Sequence, residues 1–286
     1  RIAKKEPGKY RILHNPDEQM RLAQYLILRK VLSKFEIPDY IYAFEVGKNI
    51  PEMAAKHVGK KVVVSLDIKD FFPSIKQTRL LDIFLAAGVH PTAAVTLSEI
   101  CTYKAFVPQG ALTSPKVSNI VAAKSFGPEV KEYCDQHGYT MTIYADDITI
   151  SSDDYVEDIN SLLSTITGIV EKHGFRVNRK KTKVMSDRKR QWVCGVVTNV
   201  KTNLLRAQRL QLRAIVHNIG KNGIEAEASK NELSSDKFIN MLQGKLNWFR
   251  QLNPQVGGRL YRKFKDLNLG VQWGGEPEVP VDERIS

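Results

Sequence analysis

The sequence contains few cysteines, and their spacing excludes the usual structural roles of that residue. Only Cys101, Cys134 and Cys194 occur in 286 residues, and they are odd in number and scattered. The six histidines also lack the spacing of metal ligands. The pattern excludes a disulfide framework and a zinc-binding module, and we expect a reducing, cytoplasmic setting.

Long apolar runs are missing as well. No stretch approaches the length of about 18 residues that a membrane span needs, and the apolar segment LLDIFLAAGV contains Asp82. We find no signal-peptide pattern, internal repeat or long linker. The composition, with 42% hydrophobic and 26% charged residues, predicts a globular chain with a substantial core and no membrane association.

Acidic residues are scarce towards the C-terminus. Residues 1–170 contain 20 Lys and Arg and 20 Asp and Glu, whereas residues 171–286 contain 23 and 11, so the net charge of +12 arises there. Residues 271–286 form an acidic tail, which leaves 22 basic and 7 acidic residues in 171–270. Such a localised basic region predicts binding to a polyphosphate backbone, although a solvated basic surface has the same composition.

Helical periodicity dominates the chain after residue 203. In LLRAQRLQLRAIVHNIG, apolar residues form one stripe and arginines recur at offsets of three and seven. KFINMLQGKLNWFRQL and GGRLYRKFKDL repeat this scheme. We expect the basic side chains of these helices to contact nucleic acid: Arg206, Arg209, Arg213, Lys245, Arg250, Arg259, Arg262 and Lys263.

The earlier part of the chain mixes strand and helix patterns. β-branched runs predict a buried strand at 62–68 and a hairpin with strands 140–144 and 148–152. WVCGVVTN predicts another strand. Helices are predicted at 19–35, at 78–100 with a break at GVHP, after a cap at Thr113 or Ser114, and at 156–173. The fold class is therefore α+β, followed by a basic helical module.

Two adjacent aspartates, Asp146 and Asp147, lie at the tip of the predicted hairpin in TIYADDITIS. They are turn residues, a general acid and base, or oxygen ligands of Mg²⁺, which would remove their mutual repulsion. The last interpretation needs another carboxylate, and Asp67 ends the strand predicted at 62–68. The alternative is that Asp67 and Asp70 only face water. Carboxylates that hold two metal ions can stabilise both the attacking and leaving oxygens of a phosphoryl transfer.

Three motifs resemble those of reverse transcriptases, and they occur in the same order. They are SLDIKDFFPSI (65–75), VPQGALTSP (107–115) and YADD (144–147). KYRILHNP, GFRVNRKKTKV and GKLNWFRQLNPQVGGRLYRKF extend the similarity over nearly the whole chain. Bacterial retron reverse transcriptases are the most similar subfamily. Where they have NAxxH and VTG segments, this chain has residues 53–57 and 193–195, with Met53 for Asn and Cys194 for Thr.

The resemblance implies a right-hand polymerase fold. Fingers would comprise 1–60 and 76–108, the palm 61–75 and 109–200, and a helical thumb 201–270. No maturase, endonuclease or ribonuclease H extension is expected.

The resemblance also implies RNA-directed DNA synthesis from dNTPs with two Mg²⁺ ions. The template would be a structured noncoding RNA, the product an RNA–DNA molecule (msDNA), and the role antiphage defence with an effector protein. A group II intron-like or diversity-generating reverse transcriptase, an RNA-dependent RNA polymerase and a non-catalytic RNA-binding scaffold are the alternatives.

The catalytic roles of the family carry over to the three aspartates. Asp67 and Asp146 would bind both metals, the Ile68 carbonyl would complete one site, and Asp147 would lie nearer the primer end. Lys181 would donate a proton to the departing pyrophosphate, with Lys180 as the competing choice.

Other positions of the motifs would contact the incoming nucleotide. The family register points to Phe72 as the residue that excludes a 2′-hydroxyl, whereas strand alternation from Asp67 points to Phe71. Gln109 and Gly110 would lie near the nucleotide, and Arg11 would hold its triphosphate. His57 is expected to be structural.

Overall fold

The computed structural model describes residues 2–3, 10–267 and 269. For Ala3 and Arg11 it describes the backbone alone. The predicted acidic tail at 271–286 lies outside the described residues. The chain divides into two compact units, 1–202 and 203–286. This division falls close to the predicted thumb boundary at 201, but the assignment of fingers, palm and thumb stays a prediction.

The first unit is built around a four-stranded antiparallel sheet. Its strands are β3 (Val62–Asp67), β4 (Thr140–Tyr144), β5 (Asp147–Ser152) and β6 (Lys183–Ser186), in the order β4-β5-β3-β6. Two small hairpins pair β1 (Ile2–Ala3) with β2 (Tyr10–Arg11), and β7 (Trp192–Val193) with β8 (Val196–Val197). The central pair, β3 and β5, contains the β-branched runs that predicted it.

The helices of the first unit are short. They are α1 (Glu18–Lys30), α2 (Ile50–Ala55), α3 (Phe71–Ser74), α4 (Gln77–Ala86), α5 (Pro91–Ile100), α6 (Ser114–Lys124), α7 (Phe126–Gln136) and α8 (Ile159–Lys172). A 3₁₀ turn, Leu32–Lys34, follows α1. Helix α6 is buried along almost its whole length, and aromatic rings of Phe71, Phe126 and Phe175 pack together in the core.

The second unit, as far as it is described, is helical. Its helices are α9 (Arg206–Asn222), α10 (Ile224–Lys230), α11 (Ser235–Leu252) and α12 (Pro254–Lys265). The apolar stripe of α9 is buried at Leu212, Ile215 and Ile219, as the 3.6-residue period predicted. Among the described residues, no helix combines the length and the apolar character needed to cross a bilayer.

One strand prediction was wrong, for a physical reason. WVCGVVTN forms two strands rather than one, because Cys194 and Gly195 both have positive φ, 45° and 83°, and turn the chain back. Strand β3 ends at Asp67, close to the predicted end at residue 68, and helix α3, which the sequence did not predict, begins at Phe71. Thr113, one of the two predicted cap residues, is the N-cap of α6, although its side chain makes no capping hydrogen bond.

Candidate active site

Strand register brings two distant aspartates together at one end of the sheet. Asp67 is the last residue of β3 and lies directly opposite Asp147, the first residue of β5. Tyr144, at the end of β4, pairs with Asp147 from the other side. Because directly opposed residues of antiparallel strands have neighbouring Cβ atoms, these two carboxylates share one region of the structure.

Asp146 lies in the two-residue turn between β4 and β5. The preceding Ala145 has a φ of 53°, a left-handed conformation that a residue with a Cβ seldom adopts. The carbonyl oxygen of Asp146 accepts a hydrogen bond of 2.8 Å from the Ile68 amide, which ties this turn to the end of β3. The hairpin therefore holds Asp146 beside the Asp67–Asp147 pair.

The negative charges of the three aspartates repel one another, and one nearby lysine partly offsets this repulsion. The Nζ of Lys181 donates a hydrogen bond of 2.6 Å to Asp67 Oδ1, and this bond raises the pKa of Lys181. Burial, together with the negative charges of Asp146 and Asp67, raises the pKa of Asp147 to about 6. Ionised carboxylates held this closely favour a cation beside them.

The donor atoms at this end of the sheet suit a hard divalent cation. Carboxylate oxygens and a backbone carbonyl are the ligands that Mg²⁺ and Ca²⁺ prefer. The pKa of Asp147 is raised first by burial and then by the charges of Asp146 and Asp67, and a cation would offset the second of these causes. Within the described residues, no three or more His, Cys, Asp or Glu side chains are grouped in a ready-made metal cluster. The ammonium group of Lys181 instead contacts Asp67.

A buried histidine ties together the two strands of the aspartate hairpin. His57 is fully buried, with Nδ1 2.7 Å from Ser151 Oγ on β5 and Nε2 2.8 Å from Thr142 Oγ1 on β4. Burial, with the positive charges of Lys60 and Lys56, lowers the pKa of His57 to about 3. A neutral imidazole thus connects both strands, in keeping with the structural role expected for His57.

The turn between β7 and β8 approaches the same hairpin. Burial and the charges of Asp147 and Asp146 raise the pKa of the Cys194 thiol to about 12. Burial and Cys194 also raise the pKa of Tyr144. Cys194 is therefore a protonated, unreactive thiol near the aspartates rather than a nucleophile.

The predicted nucleotide-contacting segments meet through backbone contacts. The His14 amide donates a hydrogen bond of 2.8 Å to the Gln109 carbonyl. Gly110 has a φ of 110°, and a Cβ added there would lie 2.8 Å from the His14 carbonyl oxygen. Gly110 therefore permits a close approach to His14, in the segment that follows β2. Arg11 is the last residue of β2. The contacts of Gln109, Gly110 and Arg11 with a nucleotide stay predictions.

The two phenylalanines that follow Asp70 have different environments. Phe71 is only 2% exposed, and its ring lies 5.4 Å from Phe175 and 6.2 Å from Phe126, between ring centroids. Phe72 is half-buried, and its ring centroid is 6.0 Å from that of Phe71. Strand alternation cannot select Phe71, because both residues are in helix α3. Packing leaves only Phe72 with an accessible face.

Most of the residues of the second unit that are predicted to contact nucleic acid are exposed. These are Arg206, Arg213, Lys245, Arg259, Arg262 and Lys263. Arg209 and Arg250 differ from them in being half-buried. The Arg250 guanidinium lies 4.6 Å from the centroid of the Tyr261 ring, so it also packs within its own unit.

Sequence analysis missed an exposed aromatic residue beside the hairpin. The Phe44 ring centroid lies 6.4 Å from that of Tyr144, and the Phe44 side chain is on the surface. The next residue, Glu45, forms an ion pair of 2.9 Å with Lys116 of α6. The segment YIYAFEVG contains three aromatic residues, and its sequence does not show which of them are buried and which are exposed. Phe44 therefore could not be distinguished from its neighbours.

Comparison with known proteins agrees with this architecture. Residues 2–235 match the family described as "Reverse transcriptase (RNA-dependent DNA polymerase)". The chain therefore belongs to the reverse transcriptase family.

Its curated relatives include retron enzymes. The chain is 32% identical over 279 residues to the retron Mx65 reverse transcriptase of Myxococcus xanthus, covering 91% of this chain and 62% of that protein. It is 29% identical over 220 residues to the retron Ec86 reverse transcriptase of Escherichia coli, covering 76% and 68% of the two chains. These relatives confirm the predicted resemblance to retron reverse transcriptases.

A solved structure shows the same fold at low sequence identity. Telomerase from Candida albicans, in a complex with a fragment of telomeric RNA, matches with a TM-score of 0.50 and 11% identity. The match covers 87% of this chain and 55% of that one. The predicted class, an α+β polymerase of the reverse transcriptase fold, is confirmed.

Proposed function

We propose that this protein is an RNA-directed DNA polymerase. The observation that carries the proposal is the register that sets Asp67 opposite Asp147, with Asp146 in the adjoining turn, in a chain of the reverse transcriptase family. The reaction is attack by a primer hydroxyl on the α-phosphate of a dNTP opposite an RNA template, with pyrophosphate as the leaving group.

Asp67, Asp146 and Asp147, with the Ile68 carbonyl, would hold two Mg²⁺ ions. When bound, such ions stabilise charge on the attacking and leaving oxygens of an in-line displacement. The fit rests on the oxygen donors and on the neighbouring charges of Asp146 and Asp67, which add to burial in raising the pKa of Asp147.

Lys181 is the proton donor to pyrophosphate in this proposal. Its ammonium group already contacts Asp67, and its side chain is 57% exposed, so it can turn towards a phosphate that enters the site. The hydrogen bond to Asp67 raises its pKa, so the group carries its proton at neutral pH before a phosphate enters. Lys180, also exposed, is the natural control.

Phe72 would select deoxynucleotides, and the segments that contain Arg11 and Gln109 would hold the nucleotide. The accessible face of Phe72 would clash with a 2′-hydroxyl, while the buried Phe71 supports the helix from beneath. Gln109 and Gly110 would lie near the nucleotide, and Arg11, whose guanidinium matches phosphate oxygens, would bind its triphosphate.

The exposed basic side chains of the second unit would follow the template–primer backbone without reading its sequence. The retron relatives favour a structured noncoding RNA as template and msDNA as product, with an effector protein as partner in antiphage defence. The cytoplasm is the proposed compartment. Since the chain spans 62% of the length of the Mx65 enzyme, these assignments are proposals.

Primer extension tests the reaction directly. On poly(rA)·oligo(dT) with Mg²⁺, the chain should extend the primer with dTTP and much less with UTP. Asp146→Asn should abolish extension. Asp70→Asn is the matched control, because Asp70 is exposed at the start of α3 and its left-handed φ of 48° is one that Asn tolerates.

Each outcome separates one alternative. Extension with UTP alone would indicate an RNA-dependent RNA polymerase, and binding of RNA without extension by either nucleotide would indicate a scaffold. Sequencing the nucleic acid that co-purifies with the protein tests the retron assignment, which predicts one structured RNA linked to DNA.

A further inference from the structure

The segment before helix α2 forms an additional edge beside the aspartate hairpin. Ile41 pairs in parallel with Ile143 of β4, and the Tyr42 amide donates a hydrogen bond of 2.9 Å to the Ile143 carbonyl. The chain therefore runs alongside β4 in the direction of the turn that contains Asp146. Phe44, two residues beyond Tyr42, reaches Tyr144 with 6.4 Å between ring centroids.

Phe44 combines backbone strain with exposure. Its φ of 61° lies in the left-handed region, where a bulky residue with a Cβ is a genuine outlier. Its side chain is nevertheless 51% exposed, so core packing does not account for the conformation. Strained residues of this kind concentrate at functional sites and persist only where the surroundings determine the backbone.

The surroundings of Phe44 hold the backbone on both sides of it. One amide, Asn119 Nδ2 of the buried helix α6, donates to the Ala43 carbonyl at 2.5 Å and to the Glu45 carboxylate at 2.9 Å. The same carboxylate is bound by Lys116 at 2.9 Å. Both side chains of this ion pair are mostly buried, so separating them would leave an uncompensated charge away from water.

The consequence is a rigidly presented aromatic face next to the proposed point of nucleotide addition. We propose that Phe44 is a stacking platform for a nucleobase of the template strand near the primer end. A π-face contacts any base, so this contact suits a polymerase that must accept every template sequence. The inference rests on the proposed function, and it adds a binding residue outside the motifs that contain the aspartates.

Substitutions at Phe44 can separate the ring from the backbone. Phe44→Leu removes the aromatic face while keeping an apolar side chain at the same strained φ, and Phe44→Trp keeps a stacking surface. Tyr155→Leu is the matched control, because Tyr155 is an equally exposed aromatic residue, at 53%, that lies beyond the opposite end of β5.

The probe is an RNA template annealed to a DNA primer that ends in a dideoxynucleotide, with 2-aminopurine at each template position flanking the primer end. Binding to the wild-type protein should change the fluorescence at one of these positions. Phe44→Leu should abolish that change and weaken binding about tenfold, which is within the range for loss of one stacked base. Phe44→Trp and Tyr155→Leu should retain both properties.

The proposal is overturned if Phe44→Leu gives the wild-type signal and affinity, or if Tyr155→Leu loses as much as Phe44→Leu. It is also overturned if no template position responds to the wild-type protein. Primer extension by the wild-type protein is measured in parallel. A failure there would count against the proposed polymerase function, whereas the fluorescence reports on Phe44 in the binding step alone.

Discussion

The neutral His57 should make the protein lose stability as the pH falls, in a way that one substitution removes. Burial and two neighbouring lysines lower the pKa of His57 to about 3, whereas an unfolded chain restores its ordinary value of 6.5. Between these two values the unfolded state binds a proton that the folded state does not. Stability is therefore complete above pH 6.5 and decreases as the pH falls towards 3.

The magnitude follows from linkage. At pH 5.5 the unfolded state gains about 1.4 kcal/mol from protonation of this one histidine, and at pH 4.5 about 2.7 kcal/mol. At pH 7.5 the gain is close to zero. Asp147, whose pKa is raised to about 6, acts in the opposite direction, because its folded state takes up a proton as the pH falls. A measurement on the wild-type protein alone would therefore mix the two effects.

The assay compares wild-type protein with His57→Gln by urea denaturation at pH 7.5 and 5.5. The introduced glutamine keeps a polar group near Ser151 and Thr142 but cannot titrate, and Asp147 is common to both proteins. We expect the variant to be less stable at both pH values. The wild-type free energy of unfolding should fall by about 1.4 kcal/mol more than that of the variant between pH 7.5 and 5.5.

Equal decreases in the two proteins, within about 0.5 kcal/mol, would refute the reasoning. An NMR titration gives an independent check, since the ring protons of His57 should not shift between pH 5 and 8. A midpoint near 6.5 would show that the imidazole is exposed to water and does not connect β4 to β5 as described.

Substitutions at three other places in the site have expected outcomes. Asp147→Asn should abolish primer extension yet raise the free energy of unfolding at pH 7.5 in EDTA, by at most about 3 kcal/mol, because it removes the penalty behind the raised pKa; a less stable variant in urea denaturation would contradict this. Phe72→Val should lower the preference for dTTP over UTP about tenfold in kcat/KM, whereas Phe71→Ala should cost about 3–5 kcal/mol of stability because its ring is in the core. Lys181→Ala should reduce kcat about a hundredfold with little change in KM, and a similar loss in Lys180→Ala would argue against a specific proton donor.

How far the sequence predicts this site depends on the range of the interactions. The strands that contain Asp67 and Asp147 follow from local β-branched runs, and the motif order predicted that Asp67 acts together with Asp146 and Asp147. Helix α3 was missed because Pro73 breaks the strand pattern without revealing what replaces it. The choice between Phe71 and Phe72 needed the packing of Phe126 and Phe175, which are distant in sequence.

The contacts of His57 and Phe44 show why other parts of the site had no local signal. His57 bonds to residues 94 and 85 positions away, and Glu45 bonds to Lys116 over 71 positions. In the sequence alone, His57 fits an ordinary core position and Phe44 an ordinary core or surface position. Only the folded backbone reveals that both are attached to the hairpin that carries the aspartates.

These attachments explain how an unfavourable hairpin persists. Ala145 has a left-handed φ, and Asp147 is half-buried beside two other carboxylates. Both features raise the free energy of the folded turn. His57 forms hydrogen bonds to both strands that lead into the turn, and the Ile68 amide donates a hydrogen bond to the Asp146 carbonyl within it. If this account is right, His57→Gln should weaken primer extension as well as stability, and Asp147→Asn should restore part of the stability without restoring extension. A double variant no more stable than His57→Gln alone would mean that the strain at the turn and the support behind it are unrelated.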